Sequence, residues 1–409
     1  MRGKVSGVVV ILIKKMKSFA PSAMMLSVAV VSALVLNAVP ILAPVASEAL
    51  SFSPEWIGYF ISIVYVAGML AALVSGNFIV RYGAIRISQL GLALCSLGLA
   101  LVACGNLTLI VLGAIIMGIG YGPISPASSH VLGRTTSPGR RSLAFSIRQT
   151  GNPLAGFIAG LAIPVLVLLT GWQITLFLVS ALLIVFIWIA EPFRQELDND
   201  RIASSPFSWS QVTQPIKLVF LNRDLRELAI VSFVYCGLQM ILTSYLVTYL
   251  TLEINISFVA AGFALAITQL ASVFARVFWG WVADRFLSPR KVMVILGVVM
   301  AVCAVLTGTL TSTWSFGMIL VLMVIFGASA IGWNGVYMAE VARVSPPGMI
   351  ASTTGASLFF TYLGGIVCPS GFAFVIMATK SYQYGFIIFG LLALVVSLNL
   401  LFSKKNGQS

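Results

Sequence analysis

The chain has 409 residues, of which 59% are hydrophobic and only 9% charged, about a third of the ~25% charged share of a soluble domain. That composition excludes a soluble globular enzyme and a disordered protein. The net charge of +13 does not point to nucleic acid, because the basic residues sit in short stretches between apolar runs, where topology signals belong.

A spanning helix needs about 20 apolar residues, and runs of that length follow one another from end to end. An outer-membrane barrel would show roughly 10-residue alternating segments instead. Residues 1–19 read as a basic tail on the cytoplasmic side, with Arg2, Lys4, Lys14, Lys15 and Lys17 suited to an anionic membrane surface. Val8 to Ile13 is too short for a signal-peptide core. A start at Met16 or Met24 would leave the first span whole.

The predicted spans are 20–46, 55–80, 87–104, 107–132, 142–169, 172–190, 227–250, 256–283, 291–311, 315–340, 350–377 and 383–402. They give an all-α membrane protein of twelve transmembrane helices in two six-helix bundles, 20–190 and 227–402. A polar central loop, 191–226, separates the bundles, and Trp209 to Leu221 within it reads as an interfacial helix. Residues 403–409 are a short tail. With the N-terminus inside, cytoplasmic segments carry 21 Lys and Arg against one, Lys380, on the other side. The positive-inside rule then places both termini in the cytoplasm, and short loops suggest a bacterial inner membrane. The five cysteines are scattered and there is one histidine, so no metal site, disulfide framework or cofactor is expected.

The halves repeat. Gly76 and Arg81 recur as Gly280 and Arg285, and Thr150-Gly151 as Thr354-Gly355, all at an offset of 204. Loop residues Ser137-Pro138-Gly139 and Pro346-Pro347-Gly348 also correspond. Internal repeats with a substrate site between them are how many secondary transporters are built.

The stretch Gly76-Asn-Phe-Ile-Val-Arg81-Tyr-Gly83-Ala-Ile-Arg86 resembles the loop signature between helices two and three of the major facilitator superfamily, and Gly280-Trp-Val-Ala-Asp284-Arg285 resembles its second copy. Arg148-Gln149-Thr150-Gly151-Asn152-Pro153 is similar to that family's Gly/Pro-rich fifth helix. The resemblance implies two bundles that rock about a central cavity, with Gly76, Arg81, Gly83, Arg86, Gly280, Asp284 and Arg285 in the gates. It also implies that spans 1, 4, 7 and 10 line the cavity and that spans 3, 6, 9 and 12 face lipid. One departure is Val80, which stands where the signature has Asp. The Arg that the family often places in span four is also absent. Together these imply altered gating in the N-terminal half.

A charge inside the membrane is a functional hypothesis by default. Arg148 and Arg276 lie about 11 and 12 Å deep at 1.5 Å per residue. The offset maps them to Ser352 and Ala72, so neither is a copied scaffold element. No acid lies deep in any span. Two guanidinium groups without protein partners want an anion, and a guanidinium matches a carboxylate bidentately. The plainer readings are snorkelling of the long side chains and pairing with Asp284 or Glu340 as a gate lock. Asn152, Gln149, Tyr121, Asn37, Tyr235, Gln239, Gln269, Trp333, Asn334, Tyr337 and Tyr362 complete an amphipathic lining, each with interhelical packing as its alternative. His130 has a proton-coupling range but sits near a helix end, as an interfacial histidine would.

Moving a net negative charge inward against ~100 mV costs about 2.3 kcal/mol. Uptake therefore needs a co-transported proton or a counter-anion. The expected activity is secondary transport of a small organic anion, a carboxylate, by a monomer through alternating access. The alternative is efflux of neutral or hydrophobic compounds. A membrane enzyme would need a catalytic cluster that this chain lacks, so no catalytic residue is assigned. A transporter-like sensor would be expected to carry an added soluble domain.

Overall fold

The computed structural model describes residues 2–136, 145, 147–202, 219, 221–345 and 350–403, with side chains from residue 20 onward except 350–352 and 354–356. The loop motifs at 137–139 and 346–348, Arg140, Arg141, Lys217, Lys404 and Lys405 lie outside the described residues. So do the basic side chains before residue 20 and most of the expected interfacial helix.

Among the described residues, twelve helices are long and apolar enough to cross a membrane: Ala20–Leu50, Pro54–Tyr82, Ala84–Ala103, Leu107–Thr135, Ile147–Thr170, Trp172–Leu197, Arg223–Leu252, Phe258–Arg285, Pro289–Gly308, Phe316–Val344, Ser357–Thr379 and Tyr382–Phe402. They are spans 1 to 12 below. The helix that contains span 1 begins at Arg2 and passes Pro40 and Pro44 without a break. The even number of spans puts the ends of spans 1 and 12 on one face, termed here the terminal face. The opposite face is the distal face.

The structure differs from the sequence reading in two places. Span 6 continues to Leu197, beyond the expected end at 190, because Arg194 and Glu191 pair at 3.1 Å one turn apart on its polar extension. Spans 4 and 10 are each broken. Span 4 comprises Leu107–Tyr121 and Ile124–Thr135 around Gly122-Pro123, and span 10 comprises Phe316–Ala330 and Asn334–Val344 around residues 331–333. Equivalent helices of the two halves are thus discontinuous, as in many transporters.

Within each half the peripheral helices pack on their own bundle. Span 3 lies on spans 4 and 6, and span 9 on spans 10 and 12. The link between spans 2 and 3 is the single residue Gly83, whose φ of 98° is closed to side-chain-bearing residues without strain. A Cβ there would also fall 2.2 Å from the Asp198 carboxyl carbon.

The halves meet along spans 1 and 7, 2 and 11, and 5 and 8. On the distal side this seam is tight. Tyr245 donates to the Glu55 and Pro369 carbonyls at 3.0 and 3.2 Å. The Ser62 and Ser370 hydroxyls meet at 2.7 Å, and Ser62 also bonds the Ile366 carbonyl. Gly160 lies so close to span 8 that a Cβ would sit 2.6 Å from the Gly262 carbonyl oxygen.

Candidate functional site

At the middle of the seam is a cavity of about 60 Å³. Span 1 contributes Asn37, span 2 Tyr65, span 4 Tyr121, span 5 Asn152, span 7 Gln239, Thr243 and Ser244, and span 8 Gln269 and Arg276. Both halves therefore supply the wall.

The polar groups are oriented by neighbours. Asn152 Nδ2 donates to the Tyr121 hydroxyl at 3.3 Å, and Asn37 Nδ2 turns back to the Ala33 carbonyl at 2.8 Å. Gln239 Oε1 accepts from Trp333 Nε1 at 3.1 Å and from Asn334 Nδ2 at 3.3 Å. With that oxygen engaged, the Gln239 NH2 is the group left to offer the cavity. The Gln269 amide crosses the seam and lies flat on Gly156, where a Cβ would fall 2.5 Å from its Nε2.

Arg276 lines the cavity and donates its Nη1 to the Gln149 carbonyl across the seam at 2.7 Å. Its Nε is buried without a partner. Arg148 is nine-tenths buried, and its Nε is also without a partner. Arg148 is not in the cavity wall. It lies behind the wall, within electrostatic reach of the Tyr121 and Tyr362 hydroxyls. The Tyr362 ring in turn lies 6.1 Å from that of Tyr65. Neither arginine pairs with Glu340, whose two oxygens are taken by Arg343 at 2.6 and 2.8 Å. Asp284 and Arg285 are exposed at the end of span 8. Gly76 and Gly280 face open space.

The structure separates the predicted set. Asn37, Tyr121, Asn152, Gln239, Gln269 and Arg276 share the cavity. Trp333 and Asn334 stand behind it and orient Gln239. Tyr235 instead turns toward spans 9 and 12, donating to the Met293 carbonyl at 2.9 Å and meeting the Ser397 hydroxyl at 2.8 Å. Four residues along a helix turn 400°, so Tyr235 and Gln239 point 40° apart, enough to divide them between packing and cavity. Tyr337 is fully buried, edge-on to Trp333 at 5.3 Å.

Sequence reasoning missed Tyr65, which carries no motif. It also missed the latch on the terminal face. Asp198, at the end of span 6, accepts from the Ile85 and Arg86 amides at 2.8 and 3.0 Å and so caps span 3. A carboxylate from the central loop thus sits at the start of span 3, next to the link that has Val80 in place of an acid. Four residues on, the Ile202 amide bonds the Val80 carbonyl at 2.8 Å. Between them Asp200 holds His130 at 2.7 Å and Arg134 at 2.5 Å. Partial burial by itself raises the Asp200 carboxyl, but the His130 hydrogen bond and the Arg134 charge outweigh it, and the group rests below the ordinary carboxylate range.

Two six-helix bundles, sealed against each other on one side around a shared polar cavity, define a secondary transporter, a membrane protein and not an enzyme. The chain belongs to the Major Facilitator Superfamily, whose family model matches residues 24–369. Among curated relatives it is 23% identical over 377 residues to a hexuronate transporter of Bacillus subtilis (strain 168), covering 88% of this chain and 89% of the relative. It is 22% identical over 392 residues to the probable galactarate/D-glucarate transporter GudP of Escherichia coli (strain K12), covering 86% and 85%. A 143-residue stretch is 34% identical to the probable nitrate/nitrite transporter NarK2 of Mycobacterium tuberculosis, covering 34% of this chain and 35% of that one. In three dimensions the nucleoside transporter NupG superposes with a TM-score of 0.77 at 15% identity, covering 94% of this chain and all of the other. That likeness shows the fold.

Proposed function

We propose that this transporter carries a small organic anion, a carboxylate of the sugar-acid kind. The carrying observation is the cavity wall: it presents a guanidinium, amide N–H groups and hydroxyls, and no Asp or Glu is among its residues. Such a wall favours a negative solute and leaves a cationic one without a partner. Arg276 receives the carboxylate, with the positive field of Arg148 behind it. Gln239, Gln269, Asn152 and the tyrosines read the hydroxyl groups. The full-length relatives that move hexuronate and, by name, galactarate or D-glucarate support this reading.

A cavity of about 60 Å³ holds a few waters and is well under the ~300 Å³ of a small ligand pocket. The seam must widen to admit a sugar acid, and rocking of the two halves does this. With the basic, terminal face in the cytoplasm of an inner membrane, both chain ends are inside and the distal seal closes the outer side. Net uptake of the anion by this monomer then requires exchange or an accompanying proton.

The small cavity and the stretch shared with NarK2 favour a second reading, an inorganic anion such as nitrate. One experiment separates them: thermal stabilisation of the purified protein by glucuronate, galactarate, nitrate, glucose and an organic amine. A ligand at 100 times its dissociation constant adds about 2.7 kcal/mol. Stabilisation by sugar acids alone, lost in Arg276→Gln, supports the proposal. Stabilisation by nitrate alone moves the assignment to the second reading, and stabilisation by glucose or the amine overturns both.

A further inference from the structure

Spans 2 and 3 are joined by one residue yet barely touch each other; both pack instead on span 4. The contacts are glycine to glycine. Gly68 meets Gly118 and Gly122, and Gly91 meets Gly120, with Cβ positions that would fall 2.1 to 3.3 Å from backbone oxygens. The two helices therefore diverge over a thin floor and leave a cleft of about 980 Å³ on the outer surface of the N-terminal half. Small residues such as Ala67, Ala71 and Ala93 line it, and Leu70, Phe78 and Leu90 form its exposed rim. It follows span 2 from Ala67 to Tyr82, about 22 Å at 1.5 Å per residue. One leaflet's hydrocarbon is about 15 Å deep, half of the ~30 Å core.

Apart from Ser75, whose hydroxyl donates to the Ala72 carbonyl, the cleft is apolar except at its terminal-face mouth, where Tyr82, Arg86 and Gln89 stand. Arg81 lies over the Tyr82 ring at 5.5 Å. Among the described residues neither Arg81 nor Arg86 is in an ion pair; Arg86 donates its Nη1 to Gln89 Oε1 at 3.4 Å, and the two acids nearby are hydrogen-bonded to other groups. Asp198 is taken by two backbone amides, and Glu191 by Gln89 at 2.7 Å and Arg194 at 3.1 Å. The mouth thus offers two exposed guanidinium groups above a leaflet-deep apolar trough.

We infer that this cleft binds an anionic phospholipid, with an acyl chain against spans 2, 3 and 4 and the phosphate between Arg81 and Arg86. A guanidinium recognises phosphate bidentately. The acyl chain satisfies an apolar surface that no described helix covers. The site lies outside the transport cavity and does not depend on the substrate assignment.

The test is native mass spectrometry and thermal stabilisation of delipidated protein titrated with phosphatidylglycerol or phosphatidylcholine of identical chains. The expected preference for phosphatidylglycerol is about fivefold per arginine. It disappears in Arg81→Gln/Arg86→Gln. Ala71→Phe, which fills the trough and keeps both arginines, weakens retention of both lipids. Lys291→Gln, a basic residue of the other half, changes nothing. Equal retention of the two lipids by the wild type, or a preference that survives the double substitution, overturns the inference. So does a loss in Lys291→Gln as large as in the double variant. If the arginine double variant does not fold, unchanged retention by Ala71→Phe overturns it alone.

Discussion

Arg276 of span 8 donates its Nη1 to the Gln149 carbonyl of span 5 at 2.7 Å, across the seam between the halves. The same side chain lines the central cavity. One guanidinium therefore sits both in the cavity wall and in the contact between the two bundles. Under the proposed function, an anion that engaged it would compete with a contact that holds the halves together, a differential interaction able to couple binding to movement of the bundles.

Arg276→Lys keeps the charge and loses the planar fork. A charge-assisted hydrogen bond is worth about 1.5–3 kcal/mol. Anion affinity is expected to fall roughly 10- to 100-fold in Arg276→Lys, measured by ligand-induced thermal shift. Unchanged affinity would place the carboxylate elsewhere.

Arg148 keeps a buried Nε without a partner, and an uncompensated buried charge costs stability. Arg148→Met is expected to raise the melting temperature of the ligand-free protein and to weaken stabilisation by the anion. Two melting curves, with and without ligand, check both parts. A lower ligand-free melting temperature would show that the arginine supports the fold.

The distal seal depends on glycine at the crossing of spans 5 and 8. Gly160→Ala places a methyl 2.6 Å from the Gly262 carbonyl oxygen and 2.8 Å from the Ala266 nitrogen. Backbone atoms cannot move aside as a flexible side chain can. The substitution is expected to shift the protein away from the distally sealed state, seen as faster labelling of a cysteine introduced at Ser62. Unchanged labelling would mean that the seal is held by spans 2, 7 and 11 alone.

The Asp200 latch carries a pH dependence of definite sign. Its carboxyl is held below the ordinary range, so the folded state favours the charged form. That contribution is complete above the ordinary carboxylate value of about 4 and is lost as pH falls through the lower folded value. The protection of the Ile202 amide, which bonds Val80, measured against its intrinsic exchange rate at each pH, is expected to fall below about pH 4 and to be low at neutral pH in Asp200→Asn. Equal protection of Ile202 in the variant would separate the loop from Asp200.

Much of the fold was readable because a bilayer enforces it. An unsatisfied backbone group in hydrocarbon costs several kcal/mol, so each run of about 20 apolar residues becomes a helix, and the runs in this chain are separated by Gly, Asn and short polar links. The breaks in spans 4 and 10 were less legible. Gly122-Pro123 is a signal for one, whereas Ile331-Gly332-Trp333 reads as a continuous apolar stretch. The missing acid at Val80 could be read as a gap, but not that Asp198, more than a hundred residues on, would bring a carboxylate to the nearby start of span 3.

By itself the sequence determined the twelve helices, the repeat of the halves and the presence of two deep arginines, since hydropathy, offset and charge are properties of residues in order. Only the tertiary structure decided that Arg276 enters the cavity while Arg148 stands behind it, and that Gln239 lines the wall while Tyr235 packs against spans 9 and 12. The reason is rotational: a span's burial is set by its length and composition, but which face of it meets the cavity is set by how neighbouring helices pack. A turn of 40° between i and i+4 suffices to divide residues that share a face on paper.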